Sequence, residues 1–347
     1  MKHSFRAFFV ALLAFMLAST VVMAANAPTA AQRLFKSGNV KLNAHDHRGA
    51  IADFTRAIEL NPKYAAAYSK RGYAKCCTGE KESALEDANS ALSLNPRLAS
   101  AYLTRSWAKI QLIGYSGGLD DANQAIKLDP KYVDAYNVRG DANYYLADYQ
   151  GAIADYSRAI ELDPKNAVAY GSRGAAKSEL KDYQGAIADC NKAIELDPKY
   201  VVAYQNRGTS KFYIRDYSGA IADYNKAIEL NPQFPEAYYS RGLSNNERGY
   251  RDTALSDMQQ AKRLGYSDAQ KKIDEWNEET RRAVAAQKER EAEKAGYSSG
   301  YSSGQSSSYS SSRSSSYSPP TRNFQQEGIQ RSTNLNNAFR DINRYNK

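Results

Sequence analysis

Within Val133–Lys165 the apolar and small side chains fall at helical spacing, in two groups separated by a polar turn. The first group is Tyr136, Gly140 and Ala142, with Arg139 among them. The second is Ala152, Ile153, Tyr156, Ala159 and Ile160. Asp148-Tyr149 lies between the groups, and Leu162-Asp163-Pro164 closes the second. Proline cannot continue the hydrogen bonding of a helix interior and restricts the residue before it. The pattern predicts two short helices joined by a tight turn.

Shifted by 34 residues in either direction, the stretch nearly reappears. Pro62, Pro96, Pro130, Pro164, Pro198 and Pro232 keep that period. So do Gly38, Gly72, Gly140, Gly174, Gly208 and Gly242, and the alanine series that begin at Ala50 and Ala57. A glycine inside a helix costs about 1 kcal/mol against alanine, so its recurrence calls for close approach of a paired helix. A fixed period of this size marks a stack of like helix pairs.

These proline, glycine, alanine and tyrosine marks resemble the tetratricopeptide repeat family. The resemblance covers Ala31 to Asp268 as seven repeats: 31–64, 65–98, 99–132, 133–166, 167–200, 201–234 and 235–268. Two repeats depart from the pattern. The third has Ser106 and Gly118 where its siblings have glycine and alanine, and the last has Gly265-Tyr266 in place of Asp-Pro. A terminal repeat is expected to be atypical, because nothing stacks beyond it. The resemblance implies an all-α, right-handed superhelical solenoid of about seven helix-turn-helix repeats. Its concave face would be built by the first helix of each repeat and would bind peptides or proteins.

Residues on that face not needed for packing are the expected partner contacts. They are Asn39, Tyr73, Trp107, Asn137, Asp141, Tyr144, Tyr145, Gln205, Asn206, Phe212, Tyr213 and Tyr239. Aromatic bodies with polar companions suit an extended peptide, giving large contact area at low entropy cost. Some family members clamp a C-terminal carboxylate with lysine and asparagine. Only Asn39 matches that clamp, with Phe35, Lys70, Ser100 and Thr104 at the other places, so recognition of that kind is not expected.

The tyrosines Tyr68, Tyr102, Tyr136, Tyr170, Tyr204 and Tyr238 are expected between helices. Two charged series share the period. One is Arg71, Arg105, Arg139, Arg173, Arg207 and Arg241; the other is Asp53, Asp87, Asp121, Asp155, Asp189, Asp223 and Asp257. They should meet as arginine–carboxylate pairs, with the aspartate of the same repeat or of the preceding one.

The chain opens with Met-Lys-His-Ser-Phe-Arg and an apolar run, Ala7–Val22, then small residues to Ala27. This reads as a secretory signal over 1–24, cleaved after Ala24, and places the protein in the periplasm or outside a bacterial cell. The alternative is an uncleaved anchor. No other stretch is apolar and long enough to cross a bilayer. Cleavage removes Lys2 and Arg6, and the formal net charge falls from +9 to +7. Lysine and arginine alternate with acidic residues through the repeats, so the charge does not point to nucleic acid.

Catalytic signals are nearly absent. Beyond His3, the histidines are His45 and His47, expected in a solvated turn, too few to hold a metal. Cys76, Cys77 and Cys190 form no disulfide framework; Cys190 stands where siblings have Phe54, Tyr156 and Tyr224 and reads as core. No cofactor or small-molecule substrate is implied.

Residues 269–295 read as a helix whose Ile273 and Trp276 cover the last repeat before it becomes fully solvated. Residues 296–320 are rich in serine and tyrosine with no aliphatic side chains and are expected to be a disordered linker. A polar, basic tail follows over 321–347, with Leu335, Phe339 and Ile342 on one helical face. The expected function is a non-catalytic, exported scaffold holding an extended segment of a partner protein. The alternatives are an envelope assembly factor that self-associates through its tail, and an accessory subunit presenting a partner enzyme.

Overall fold

Each repeat folds as the turn chemistry of its sequence directs. In a computed structural model, which describes residues 29–300, the pairs are α1 (Ala30–Asn43) with α2 (His47–Leu60), α3 (Ala65–Thr78) with α4 (Lys81–Leu94), and α5 (Ala99–Ile113) with α6 (Tyr115–Leu128). Then come α7 (Val133–Tyr145) with α8 (Tyr149–Leu162), α9 (Ala167–Glu179) with α10 (Tyr183–Leu196), α11 (Val201–Tyr213) with α12 (Tyr217–Leu230), and α13 (Pro235–Glu247) with α14 (Arg251–Arg263). A last helix, α15, spans Ser267–Gly300. Among the described residues there is no strand. The expected signal segment, residues 1–24, and the tail beyond residue 300 lie outside the described residues.

Within a repeat the chain reverses through a left-handed residue. That residue is a glycine at Gly79, Gly114 and Gly249 but His45, Ala147, Lys181 and Arg215 elsewhere. The aspartate that follows caps the second helix: Asp46, Asp148 and Asp216 accept from the backbone N–H of Gly49, Gly151 and Gly219, each at 2.9 Å. Between repeats, the residue before proline ends the helix. Its side chain then accepts from a backbone N–H two residues on, as Asn95 does from Arg97 at 3.0 Å and Asp129 from Lys131 at 3.0 Å.

The chain divides into two compact bodies. Of the described residues, the first holds 29–182 with Glu195–Pro198, and the second holds Tyr183–Ile194 with 199–300. In both, alanines form the dry seam between helices, among them Ala50, Ala84, Ala125, Ala152, Ala220 and Ala254, all at 0% exposure. Gly38, Gly140 and Gly208 make room for a ring from the second helix, and Gly72 and Gly242 for a backbone carbonyl. A Cβ added at Gly140 would stand 2.7 Å from the Tyr156 ring, and one at Gly208 would stand 2.7 Å from the Tyr224 ring. In the third repeat the small residue has changed helices. Gly118 faces Ser106, whose hydroxyl donates to the Gly118 carbonyl at 2.8 Å, and the Ile110 side chain packs against Gly118.

The arginine–aspartate pairs lie within a repeat. Arg71 grips Asp87 with two donors at 2.9 and 2.6 Å, and Arg105 with Asp121 and Arg139 with Asp155 repeat the fork in the first body. Arg207 with Asp223 and Arg241 with Asp257 do so in the second. The third donor reaches back to the preceding repeat: Thr55 for Arg71, Asn89 for Arg105, Asn123 for Arg139, Asn191 for Arg207 and Asn225 for Arg241. Each guanidinium also lies over the tyrosine three residues before it, at 5.3–5.7 Å from the ring centre.

The last helix begins as a cover. Ile273 and Trp276 pack with Tyr239, Met258 and Tyr266, and Arg251 lies over the Trp276 ring at 4.6 Å. From Asn277 its side chains are exposed as far as they are described. It runs to Gly300, five residues into the segment that composition assigns to the disordered linker. The correction has a plain cause: a docked first half supplies the nucleus, and the Ala-, Glu- and Lys-rich continuation propagates it.

Asp121, 3% exposed, is held by Arg105 and Lys109. Asp121→Ala leaves both cations facing a buried hole and should cost about 3–5 kcal/mol. The double variant Arg105→Met/Asp121→Leu should cost much less, and urea unfolding of the three proteins measures the difference.

Candidate functional site

The first helices of the pairs carry most of the side chains expected to meet a partner. On α7, Asp134, Asn137, Asp141 and Tyr145 are spaced by three and four residues and so share one face. Tyr145, 37% exposed, stacks on Tyr115 at 4.2 Å, and Tyr144 stands edge-on to both Tyr145 and Tyr149. The Tyr144 hydroxyl donates to Glu179 at 3.3 Å. Deeper in the same face, Asp141 accepts from the Tyr156 hydroxyl at 2.7 Å. The Asn137 amide oxygen is buried without a hydrogen-bond partner.

Toward the start of the first body this face borders a cleft of about 400 Å³. Lys70, Tyr73, Tyr132 and Asp134 line it, with His45 and His47. Burial pushes the phenols of Tyr73, Tyr115 and Tyr132 well above their usual range. The His47 imidazole is half-buried rather than solvated, which corrects the sequence reading. Burial first, and then the neighbouring His45, hold it below its usual range. Among the described residues no cluster of His, Cys, Asp or Glu could hold a metal ion. Cys76 is buried, and burial pushes its thiol up, away from the reactive thiolate.

The second body repeats the theme on α11. Gln205 donates to Ser240 at 2.9 Å, while its amide oxygen is buried without a hydrogen bond. Tyr213, 44% exposed, stacks on Tyr183 at 5.2 Å, and Phe212 stands edge-on to Tyr213 and Tyr217. Asn206 lies half-buried on the same helix, as Asn39 does on α1.

Two expected contacts belong to the interior. Trp107, 6% exposed, packs among Cys76, Ala84, Ala108, Ile110 and Ala142, where three alanines leave space for the indole. Tyr73 leans on it at 5.0 Å and so faces both core and cleft. Tyr239, 9% exposed, is sealed beneath α15, its ring 4.5 Å from Tyr266. The stacking partners Tyr115 and Tyr183 were missed by sequence reasoning. Their signal is a tyrosine at the start of the second helix, repeated at Tyr115, Tyr149, Tyr183 and Tyr217.

Family models described as tetratricopeptide repeat match residues 35–102, 133–166 and 167–200, and one described as TPR repeat matches 215–249. The chain is a tetratricopeptide repeat protein. Solved structures of the same architecture align over most of its repeats. A tetratricopeptide repeat protein from Parabacteroides merdae aligns with a TM-score of 0.54 at 20% identity, covering 71% of this chain and 98% of that one. Pseudomonas aeruginosa pilF aligns with 0.54 at 19%, covering 62% and 97%. The Cut9–Hcn1 assembly gives 0.63 at 13%, covering 68% and 47%. These likenesses bear on fold alone. No curated protein matches the chain. Tetratricopeptide repeat proteins bind protein or peptide partners.

In this tetratricopeptide repeat chain, burial alters the acidity of Asp141. Burial pushes its carboxyl up to about 6, and the Tyr156 hydrogen bond only partly counters that. The folded state thus holds the Asp141 proton more tightly than the unfolded chain does. The carboxyl's favourable contribution is complete below about pH 4 and is lost as pH rises through 6. Asp141→Asn should therefore be more stable than the parent by about 1–3 kcal/mol at pH 7. The gap should close between pH 6 and pH 4, as thermal unfolding followed by circular dichroism would record.

Proposed function

We propose that the protein is an exported, non-catalytic interaction scaffold that holds an extended segment of a partner protein against the first helices of its repeats. The carrying observation is the pair of amide oxygens on Asn137 and Gln205, each buried without a hydrogen bond. They stand 68 residues apart, two repeat periods, so each body offers the same unmet acceptor at the same position. Leaving a buried acceptor unmet costs about 1–3 kcal/mol, which a ligand's backbone N–H reaching it would recover. Eight residues further along each helix stands an exposed tyrosine on a stacked partner, Tyr145 in one body and Tyr213 in the other. A rigid aromatic platform beside an amide acceptor suits main-chain recognition, with side-chain contact on the ring.

The reading has a direct test. A display library of unstructured 12-residue peptides is panned on the full chain and on the triple variant Asn137→Leu/Tyr145→Ala/Tyr213→Ala. Enriched peptides should bind the variant at least about tenfold more weakly while its helical circular dichroism is kept. Equal binding by both proteins would remove these faces from the function. For export, the amino terminus of the protein recovered from outside the cytoplasm should be Ala25; recovery of Met1 would indicate a retained anchor.

A further inference from the structure

The groove reading leaves open what a bound segment must carry, and α7 bears on that. Asp134, Asn137 and Asp141 lie on one helical face, the two carboxylates seven residues or about 10.5 Å apart along the axis. All three present acceptors. Asp134 makes no hydrogen bond or ion pair among the described residues, and Asp141 is met by Tyr156 on one oxygen alone. Lys70 lines the cleft beside Asp134 without pairing to it; its ammonium lies 5.9 Å from the Tyr73 ring centre.

A comparison within the chain separates this arrangement from the needs of the fold. One period away on either side, Ser100 and Val168 stand at the place of Asp134, and Trp107 and Ala175 at the place of Asp141. Two periods on, the second body keeps the amide as Gln205 but has Val202 and Thr209 in place of the two acids. There Thr209 receives the buried hydroxyl of Tyr224 at 3.4 Å, as Asp141 receives that of Tyr156. A neutral hydroxyl therefore does the structural work of Asp141. A desolvated carboxylate kept where the fold does not ask for it belongs with functional sites, where stability is traded for binding.

We propose, resting on the groove reading, that this face takes an extended partner segment bearing two basic side chains three residues apart. One base lies on Asp134 and the other on Asp141, and a backbone N–H between them meets the Asn137 amide oxygen. A chain in polyproline II geometry advances about 3.1 Å per residue with three residues per turn, so residues i and i+3 stand on one side about 9 Å apart. That matches the separation of the carboxylates. Charge-assisted hydrogen bonds from guanidinium or ammonium would replace the solvation that Asp141 has lost and would pair Asp134, which stands exposed at the cleft.

Acid should weaken the complex. Burial pushes both carboxyls up; Lys70 draws Asp134 down while Asp163 pushes it up, and Tyr156 draws Asp141 down. As pH falls through about 6 Asp141 takes up its proton, and Asp134, raised in the same direction, is neutralised more readily than an ordinary carboxyl.

The test is fluorescence anisotropy of the full chain with three labelled peptides sharing one neutral frame. They carry Arg-Ala-Ala-Arg, Gln-Ala-Ala-Gln or Glu-Ala-Ala-Glu at the centre, and each is measured at pH 7.5 and pH 5.5. The arginine peptide should bind at least about tenfold more tightly than the others at pH 7.5 and lose most of that advantage at pH 5.5. Asp134→Asn and Asp141→Thr should each remove about tenfold from the arginine peptide and leave the glutamine peptide unchanged. Asp141→Thr carries the residue the second body already uses, so its fold is expected to be intact. If the glutamine or glutamate peptide binds as well as the arginine peptide, and the variants change nothing, the basic-segment proposal fails while the groove reading survives. If no peptide binds and the display library also yields none, both fail.

Discussion

The interaction on which the rest depends is the node formed by one arginine, one aspartate and one neutral side chain from the repeat before. The aspartate is buried, so its ionisation must be met by more than one donor. Arg105 and Lys109 meet Asp121 together, and Arg207 and Lys211 meet Asp223. Where the repeat lacks that lysine, an amide replaces it, as Asn143 does for Asp155 and Asn245 for Asp257. The tyrosine beneath the guanidinium shields it without competing for its donors. Three helices thus converge on one cation. The third arginine donor, spent on Thr55, Asn89 or Asn123, sets how one repeat is placed on the last.

That register decides what the first helices show. Close approach within a pair is set by small residues: a glycine opposite a ring or a backbone carbonyl, or, in the third repeat, a serine opposite a glycine. With spacing and register both set, positions 137 and 205 recur in like settings, and so do the tyrosine stacks at 115/145 and 183/213. The acids on α7 are additions to that frame, and the frame tolerates them at some expense in stability.

Much of this was legible in the sequence. The period, the paired helices and their proline ends follow from residues that recur because backbone geometry demands them. The arginine–aspartate pairing was legible as a pairing, but not its direction, since both aspartates lie at constant offset from each arginine. The neutral partners Thr55, Asn89 and Asn123 share the period too, yet a polar residue on a second helix reads as solvent face. Trp107 and Tyr239 were misread because their burial comes from neighbours rather than from their own position. The alanines around Trp107 and the cover of α15 over Tyr239 are particular to those two repeats. His47 was misread for a related reason: a turn is solvated only if no neighbouring element borders it.

The first pair lacks the node. At the arginine's place it has Ser37, which donates to Asp53 at 2.6 Å, with Lys41 at 2.7 Å, and neither reaches back to an earlier repeat. Asp53 is satisfied, but only by its own pair. Each later pair of the first body is fastened on both sides, whereas α1 and α2 are fastened on one. Opening of the first body therefore has a preferred starting place. Leu42, His45 and His47, which form one edge of the cleft, belong to that singly fastened pair.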